Sequence, residues 1–391
     1  MRKSLKILHT ADWHLGLVSW KGFKGINRLE EQRDCLQEML KIAQEEKVNL
    51  VLHAGDLFHQ YHNPPREAIR LATEVLVEMS RRAQVVWVMG NHDWYAIEAL
   101  QGIFPESIIV SKSFKPLLIE DLGVCVYPLP YLSLSKYLGK YAGKSIHEEV
   151  AEVLARVFQN WQKYYSPEHW HILLAHCTLE ELAFYKEANI AREIFLKTGE
   201  LPRGIDYGAF GHLHGLIPFE KAPFPIYYPS SIICDTFQKE GEKGSFLIIE
   251  LKEGQKPEIR TYYFNSSAQL FSILLDDAEK INNLEKEIAS RAKGKRNYVR
   301  LRIKEELLTP ELISEIRSME GENWQIVALE VLSRKVETEN LPEKSREISK
   351  HTMPELFKEF CHLNQLPNEL EKLFEVYYYQ VLEEVEKDAT G

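Results

Sequence analysis

The chain has 391 residues, 45% hydrophobic and 27% charged, the balance of a globular protein rather than a disordered or collagenous one. Its length exceeds what one ordinary core serves, so two or three domains are expected, and no run nears the roughly 18 apolar residues of a membrane span. A net charge of −10 gives no support by itself to nucleic-acid binding, although acidic metal ligands and an acidic tail can conceal a local basic surface.

The first residues, MRKSLKILHTADWHLG, start basic but carry only a short apolar run before His9, Asp12 and His14. They read as a first buried strand and not as a signal peptide. Downstream the same pattern repeats: VNLVLH runs into AGD, QVVWVM into GNHD, HILLA into HCT, and YGAF into GHLH. Short apolar runs bounded by glycine or polar residues are the mark of buried strands. Helical patterns lie between them at 28–46 and 65–82. In the second, Ala68, Leu71, Ala72, Val75, Leu76 and Met79 form one apolar stripe, and Pro65 suits a first-turn position. Strand–helix alternation predicts an α/β domain whose loops converge on a site.

From about Lys221 the texture turns β-rich, and IYYPSSIICDTF, GSFLIIEL and EIRTYYF read as hairpin strands closing a domain over 1–266. A strand–helix–strand–helix–strand pattern follows, with helices over 278–291 and 309–319, which predicts a small α+β domain over 268–332. Residues 333–345 are charged and aperiodic, a linker. Two amphipathic helices over 346–391 close the chain, one carrying Leu356, Phe357 and Phe360, the other Leu373, Phe374 and Tyr377. Such a pair buries little by itself, so its apolar stripe belongs against the parent domain or a partner.

The five cysteines, Cys35, Cys125, Cys177, Cys234 and Cys361, are scattered and contain no CxxC. That argues against a disulfide framework or a thiolate zinc site and for a reducing cytoplasm. Cys177, beside a candidate ligand, reads as a small buried hydrophobe.

Five short motifs carry the chemistry: Asp12-x-His14, Gly55-Asp56, Gly90-Asn91-His92-Asp93, His176, and Gly211-His212-x-His214. Carboxylates, imidazoles and one amide suit hard-to-borderline divalent ions. Asp-x-His and His-x-His each offer two side chains to one ion from a single loop. Two neighbouring ions need a bridging carboxylate, for which Asp56 is the natural candidate, and such a pair is suited to phosphoester cleavage. Each motif alone is weak; five in order, each at a strand end, are not a coincidence.

Together these motifs resemble the calcineurin-like metallophosphoesterases. HTADWHLG at the start, AGDLFH with His59, GNHDW, and GHLH followed by IYYPSS narrow the resemblance to the SbcD nuclease subunits of prokaryotic double-strand-break repair. The resemblance implies a two-sheet α/β/β/α core with a small α+β capping domain and a C-terminal helix pair. It implies that Asp12, His14, Asp56 and His214 hold one ion and Asp56, Asn91, His176 and His212 the other, Mn2+ first and Mg2+ second. His92 would stabilise or protonate the leaving oxygen, Asp93 would orient it, and His59 would be a second functional histidine. The one departure is Ser230, where the family usually has glycine.

Nothing in the metal motifs chooses DNA over a small phosphoester. The stretch 291–304 holds Lys293, Lys295, Arg296 and Arg300 with little opposing acid in sequence, and Lys21, Lys24 and Arg28 follow the first motif. Such clusters suit a phosphate backbone. The resemblance further implies a cytoplasmic, nucleoid-associated protein partnered by an SbcC-type ABC ATPase through the terminal helices. It also implies a homodimer through helices at 65–82 and 95–104. The expected activity is 3′ to 5′ exonuclease on duplex ends and endonuclease on single strands. A stand-alone nucleotide phosphodiesterase or phosphatase, and a non-catalytic scaffold, are the alternatives.

Overall fold

The computed structural model describes residues 2–94, 100, 104–132, 146–184, 194–237 and 240–332. The expected linker and helix pair beyond residue 332, with Leu356, Phe357, Phe360, Leu373, Phe374 and Tyr377, lie outside these residues, as does most of 95–104. Apart from Ile146, the described residues fall in one compact unit, Met1–Leu134 with His147–Leu332. No helix among them is long and apolar enough to cross a membrane.

Seventeen strands appear among the described residues, in chain order β1 (Leu5–Thr10), β2 (Val18–Ser19), β3 (Ile26–Asn27), β4 (Leu50–His53), β5 (Gln84–Val88), β6 (Ile108–Ser111), β7 (Leu117–Ile119), β8 (Val124–Leu129) and β9 (Trp170–His176). The rest are β10 (Tyr207–Gly211), β11 (Leu216–Phe219), β12 (Ile226–Pro229), β13 (Ser245–Leu251), β14 (Glu258–Tyr263), β15 (Gln269–Leu275), β16 (Asn297–Lys304) and β17 (Trp324–Leu332). One six-stranded sheet has the order β14-β13-β1-β4-β5-β6 and a second β11-β12-β10-β9-β8-β7. The four strands β1, β4, β5 and β6 run parallel, as do β8, β9, β10 and β12.

Side-chain alternation explains how the layers stack. In β1, β4 and β5, Leu5, Ile7, Leu50, Leu52, Val86 and Val88 face the second sheet, where they meet Val124, Val126, Ile172, Leu174, Tyr207 and Ala209. The intervening Leu8, Val51, Val85 and Trp87 face the other way, against helices α1 (Leu29–Glu45) and α2 (Arg66–Ser80). Pro65 stands just outside α2 as its N-cap, not in the first turn. On the far face of the second sheet, Trp161 of α3 (Ile146–Trp161) packs on Tyr127. The result is the expected α/β/β/α sandwich.

Some expectations are corrected. Strands β6, β7 and β8 and helix α3 were not foreseen. The segment IYYP pairs in parallel with β10 in the second sheet, so β13 and β14 alone make the foreseen hairpin. The helix expected over 278–291 is two, α4 (Ala278–Asn282) and α5 (Leu284–Arg291), broken at Asn283. Its side-chain amide bonds the Glu279 carbonyl, the local competition that makes asparagine a poor helix-interior residue. The last helix, α6 (Pro310–Ser318), starts as foreseen: Thr309 caps it through Leu312 N–H and Pro310 opens it.

The three-stranded parallel sheet β15-β16-β17 forms the small module with its own core, Phe271, Ile273, Leu275, Val299, Leu301, Ile303 and Ile326 against Leu284, Ile288, Leu312 and Ile316. It is fastened to the sandwich through Arg28. This residue is fully buried, bonds Glu31 through two nitrogens at 2.7 and 2.9 Å, and stacks over both Trp20 and Tyr298. Glu31 in turn accepts from Ala268 N–H at 2.8 Å.

Two histidines are buried in the sandwich away from solvent. His9 contacts the Tyr207 hydroxyl and the Phe210 carbonyl, and His53 packs against Trp13 and Trp87. Burial lowers the pKa of each to about 3. Because the unfolded chain binds these protons near pH 6.5 and the folded chain does not, the stability contribution is full above 6.5 and lost as pH falls towards 3. Asp56 and Asp93, whose carboxyls burial pushes up, act in the opposite sense. We expect His53→Asn to flatten the fall of unfolding free energy between pH 6.5 and 3 in metal-free protein. An unchanged slope by urea titration would show that His53 is not buried neutral.

Candidate metal centre

The motif loops all leave the C-terminal ends of parallel strands: β1, β4 and β5 of one sheet, β9 and β10 of the other. That is where α/β folds place their sites. The chain turns so tightly there that Asp12, His14, Asp56 and His212 adopt left-handed φ of 51°, 43°, 57° and 98°. For non-glycine residues this costs about 1–3 kcal/mol each and persists only when surroundings hold it. Asp12 N–H donates to Gly55 O at 2.9 Å, His14 N–H to Asp56 O at 3.1 Å, and His212 N–H to the Asp12 carboxylate at 3.1 Å. Gly55, at φ 93°, has a second reason to be glycine, since a Cβ there would overlap the His176 ring.

These loops bring all seven expected ligands together. Asp12, His14 and His214 form one group whose donor atoms lie within 4.8 Å of one another, and Asp56, His176 and His212 form another. His14 Nε2 is 3.0 Å from His214 Nε2, while Asn91 Oδ1 is 3.0 Å from His176 Nε2 and 3.1 Å from His212 Nδ1. Asp56 stands between the groups. Its Oδ2 is 3.6 Å from His14 Nε2 and its Oδ1 is 3.5 Å from His176 Nε2.

Without a cation this arrangement is electrostatically uncomfortable. Burial, then the neighbouring Asp93 charge, pushes the Asp56 carboxyl well above its usual range. Burial and neighbouring imidazoles hold His14 and His176 well below theirs. The histidines are therefore neutral with lone pairs converging on common points, and the carboxylate lacks a counter-charge. A divalent cation reverses that balance, so the donor set fits one on each side of Asp56.

The three expected catalytic residues differ in placement. His92 Nδ1–H donates to the His59 carbonyl at 2.7 Å, which leaves Nε2 4.0 Å from Asp56 Oδ2 at the mouth of the site. His59 lies with its ring nearly parallel to that of His92, centroids 5.8 Å apart. Asp93 is a correction: it does not orient His92. It is fully buried and accepts from the backbone N–H of Asp56, Leu57, Phe58 and Gly90 and from the Trp87 indole. The residue that fixes the His92 ring is His59, through its backbone.

Two further residues belong to the site. Asp235 lines a cavity of about 110 Å³ with Asp12, His14, His59, His92 and His214, and its Oδ2 is 3.8 Å from His214 Nδ1. Nothing in IICDTF marks it in sequence, because it stands alone after a strand with no motif spacing. Ser230 sits at φ 81°, the region that favours glycine, with its hydroxyl 3.1 Å from the carbonyls of His214 and Ser231. The serine thus keeps the glycine-like turn and adds a tie to the His214 backbone.

The basic clusters are largely corrected. Arg28 faces no solvent. Lys24 pairs with Glu320 at 2.8 Å, Lys295 and Arg296 both pair with Asp34, and Arg300 lies between Glu240 and Glu330. The opposing acids come from α1 and other distant segments, which is why the stretch 291–304 looked unopposed. Exposed Lys21 and Lys293 make no ion pair with a described acidic side chain by the same distance criterion, and Lys21 is close enough to help lower the pKa of His59, after burial and His92.

Because Asp93 ties the loops of two motifs, Asp93→Ala strands several buried N–H groups. We expect it to lower the unfolding free energy by roughly 3 kcal/mol or more and to weaken metal binding on both sides of Asp56. A variant as stable as the parent, with only kcat reduced, would return Asp93 to the role of orienting His92.

Residues 5–216 match the calcineurin-like phosphoesterase family, and this span is more than half of the chain. The chain is 26% identical over 269 residues to the SbcD component of the SbcCD nuclease from Bacillus subtilis, covering 64% of this chain and 68% of that protein. Among solved structures it resembles a dimetal phosphatase from Danio rerio, at 14% identity and TM-score 0.41, covering 67% of this chain and 99% of the other. It also resembles the phosphopantetheinyl hydrolase of Mycobacterium tuberculosis, at 12% identity and TM-score 0.36, covering 59% of this chain and 91% of the other. With its ligand-bearing loops at the ends of two packed sheets, the chain belongs to the calcineurin-like phosphoesterases, a family of metal-dependent enzymes.

Proposed function

We propose that this protein is a two-metal DNA nuclease, cutting 3′ to 5′ from duplex ends and endonucleolytically in single strands, as one component of a double-strand-break repair assembly. The observation that carries the reading is Asp56, a lone buried carboxylate with each oxygen turned to a different imidazole group. Asp12, His14, Asp56 and His214 would hold one ion, and Asp56, Asn91, His176 and His212 the other. Four imidazoles among the ligands favour Mn2+ over Mg2+, which prefers oxygen and water.

Bound there, the ions would polarise the phosphoryl oxygens and activate water. The chain's own part is positioning and proton transfer. The His59 carbonyl holds His92 Nδ1–H, so Nε2 presents a fixed atom to the cavity. Protonated, that atom can donate to the oxygen that leaves; this is general acid catalysis by the side chain best suited to it. Lys21, exposed beside His59, can meet a backbone phosphate, and Lys293 another on the small module. The name of the Bacillus subtilis relative supports DNA as substrate and an SbcC-type ATPase as partner. That partner would take the apolar stripe of residues 346–391, with homodimerisation through α2, in the cytoplasm.

The test is degradation of an end-labelled duplex in Mn2+. We expect the parent to shorten it, Asp56→Ala to be inactive, and His92→Ala to lose about 10²–10⁴-fold in kcat while retaining its ions. A parent that cleaves a small chromogenic phosphodiester but leaves DNA intact, with and without the ATPase, would overturn the DNA reading and leave the metal site standing.

A further inference from the structure

Each histidine that turns Nε2 towards the centre must carry its proton on Nδ1, and a buried or half-buried N–H needs an acceptor. His176 has one in the Ala54 carbonyl at 2.7 Å and His92 has one in the His59 carbonyl. His14 Nδ1 has no hydrogen-bond partner among the described residues. His214, whose Nε2 faces His14 Nε2 at 3.0 Å, turns Nδ1 towards Asp235 Oδ2 at 3.8 Å. That distance exceeds a direct hydrogen bond and closes with a small side-chain rotation or one bridging water.

Asp235 is not loosely placed. The short segment before it is stapled by the Ser231 hydroxyl on Ile233 O at 2.8 Å and by Arg28 on Cys234 O at 3.1 Å. Arg28 is the same buried guanidinium that fastens the small module through Tyr298. The carboxylate is thus presented to His214 from a rigid strap anchored on both parts of the unit.

We propose that Asp235 is a positioning residue for the metal held by Asp12, His14, Asp56 and His214. It acts through His214, fixing the Nδ1–H tautomer and making Nε2 a stronger donor. Carboxylate–histidine–metal arrangements work this way, and loss of the outer carboxylate typically costs 10–100-fold in metal affinity. The ion on the other side of Asp56 has no such dependence, since His176 is supported by a backbone carbonyl and His212 turns Nδ1 inward. The inference rests on the two-metal reading above and adds an asymmetry to it.

Mn2+ titration calorimetry on metal-stripped full-length protein tests it, with thermal unfolding of the metal-free form as a check on folding. We expect two binding events in the parent. Asp235→Asn, which keeps shape and loses charge, should weaken one event about 10-fold or more and leave the other unchanged. In a His214→Ala background, Asp235→Asn should have no further effect. Two events of parental affinity in Asp235→Asn, or equal weakening of both, would overturn this inference alone, as would additive effects in the double variant. A parent that binds fewer than two ions would overturn the two-metal reading and this one with it.

Discussion

The structure depends on one unfavourable cluster, the buried Asp56 carboxylate with imidazoles crowded on both sides and no counter-charge of its own. Burial raises Asp56 and lowers His14 and His176, so the folded chain spends stability to hold donors that cations would relieve. Four of those residues also sit at left-handed φ. Two packed sheets supply the rigidity that keeps such a cluster together. The loops cannot relax without breaking the parallel pairing of β1, β4 and β5 or the bonds that Asp93 makes to both the Gly55-Asp56 and Gly90-Asn91 turns.

A consistent division of labour follows. Groups that face the cavity, such as His92 Nε2 and His214 Nε2, are aimed by groups that do not. The aiming groups are mostly backbone: the carbonyls of Ala54 and His59. Where a side chain does the aiming, as Asp235 is placed to do for His214, it comes from a strap stitched to Arg28. Arg28 reaches the small module as well. The junction between sandwich and small module and the support of the metal cluster therefore share one buried ion pair, Arg28–Glu31.

Much of this was legible in sequence because periodicity and motif coincide at the site. Each ligand follows an apolar run, and those runs became β1, β4, β5, β9 and β10. What was not legible depended on contacts between distant segments. VCVYPL lacks a following motif, so nothing marks β8 as part of the site's scaffold, and α3 has a clean apolar face but no chemical residue to draw attention. Asp93 sits beside His92 in sequence, yet its carboxylate turns inward to five donors. The basic stretch at 291–304 looked unopposed only because its acids, Asp34 and Glu240 among them, come from elsewhere in the chain. Asp235 carries no signal of spacing and is visible only once β12 has brought its segment back to His214.

The account's central claim is that one carboxylate serves two ions. The most direct measurement is the Mn2+ content of full-length protein after metal stripping, reloading and gel filtration, read by elemental analysis, for the parent and Asp56→Asn. The account predicts two ions per chain in the parent and loss of both, or retention of one weakly held ion, in the variant. Two ions retained by Asp56→Asn would contradict it, and the two histidine groups would then be separate sites with no shared ligand.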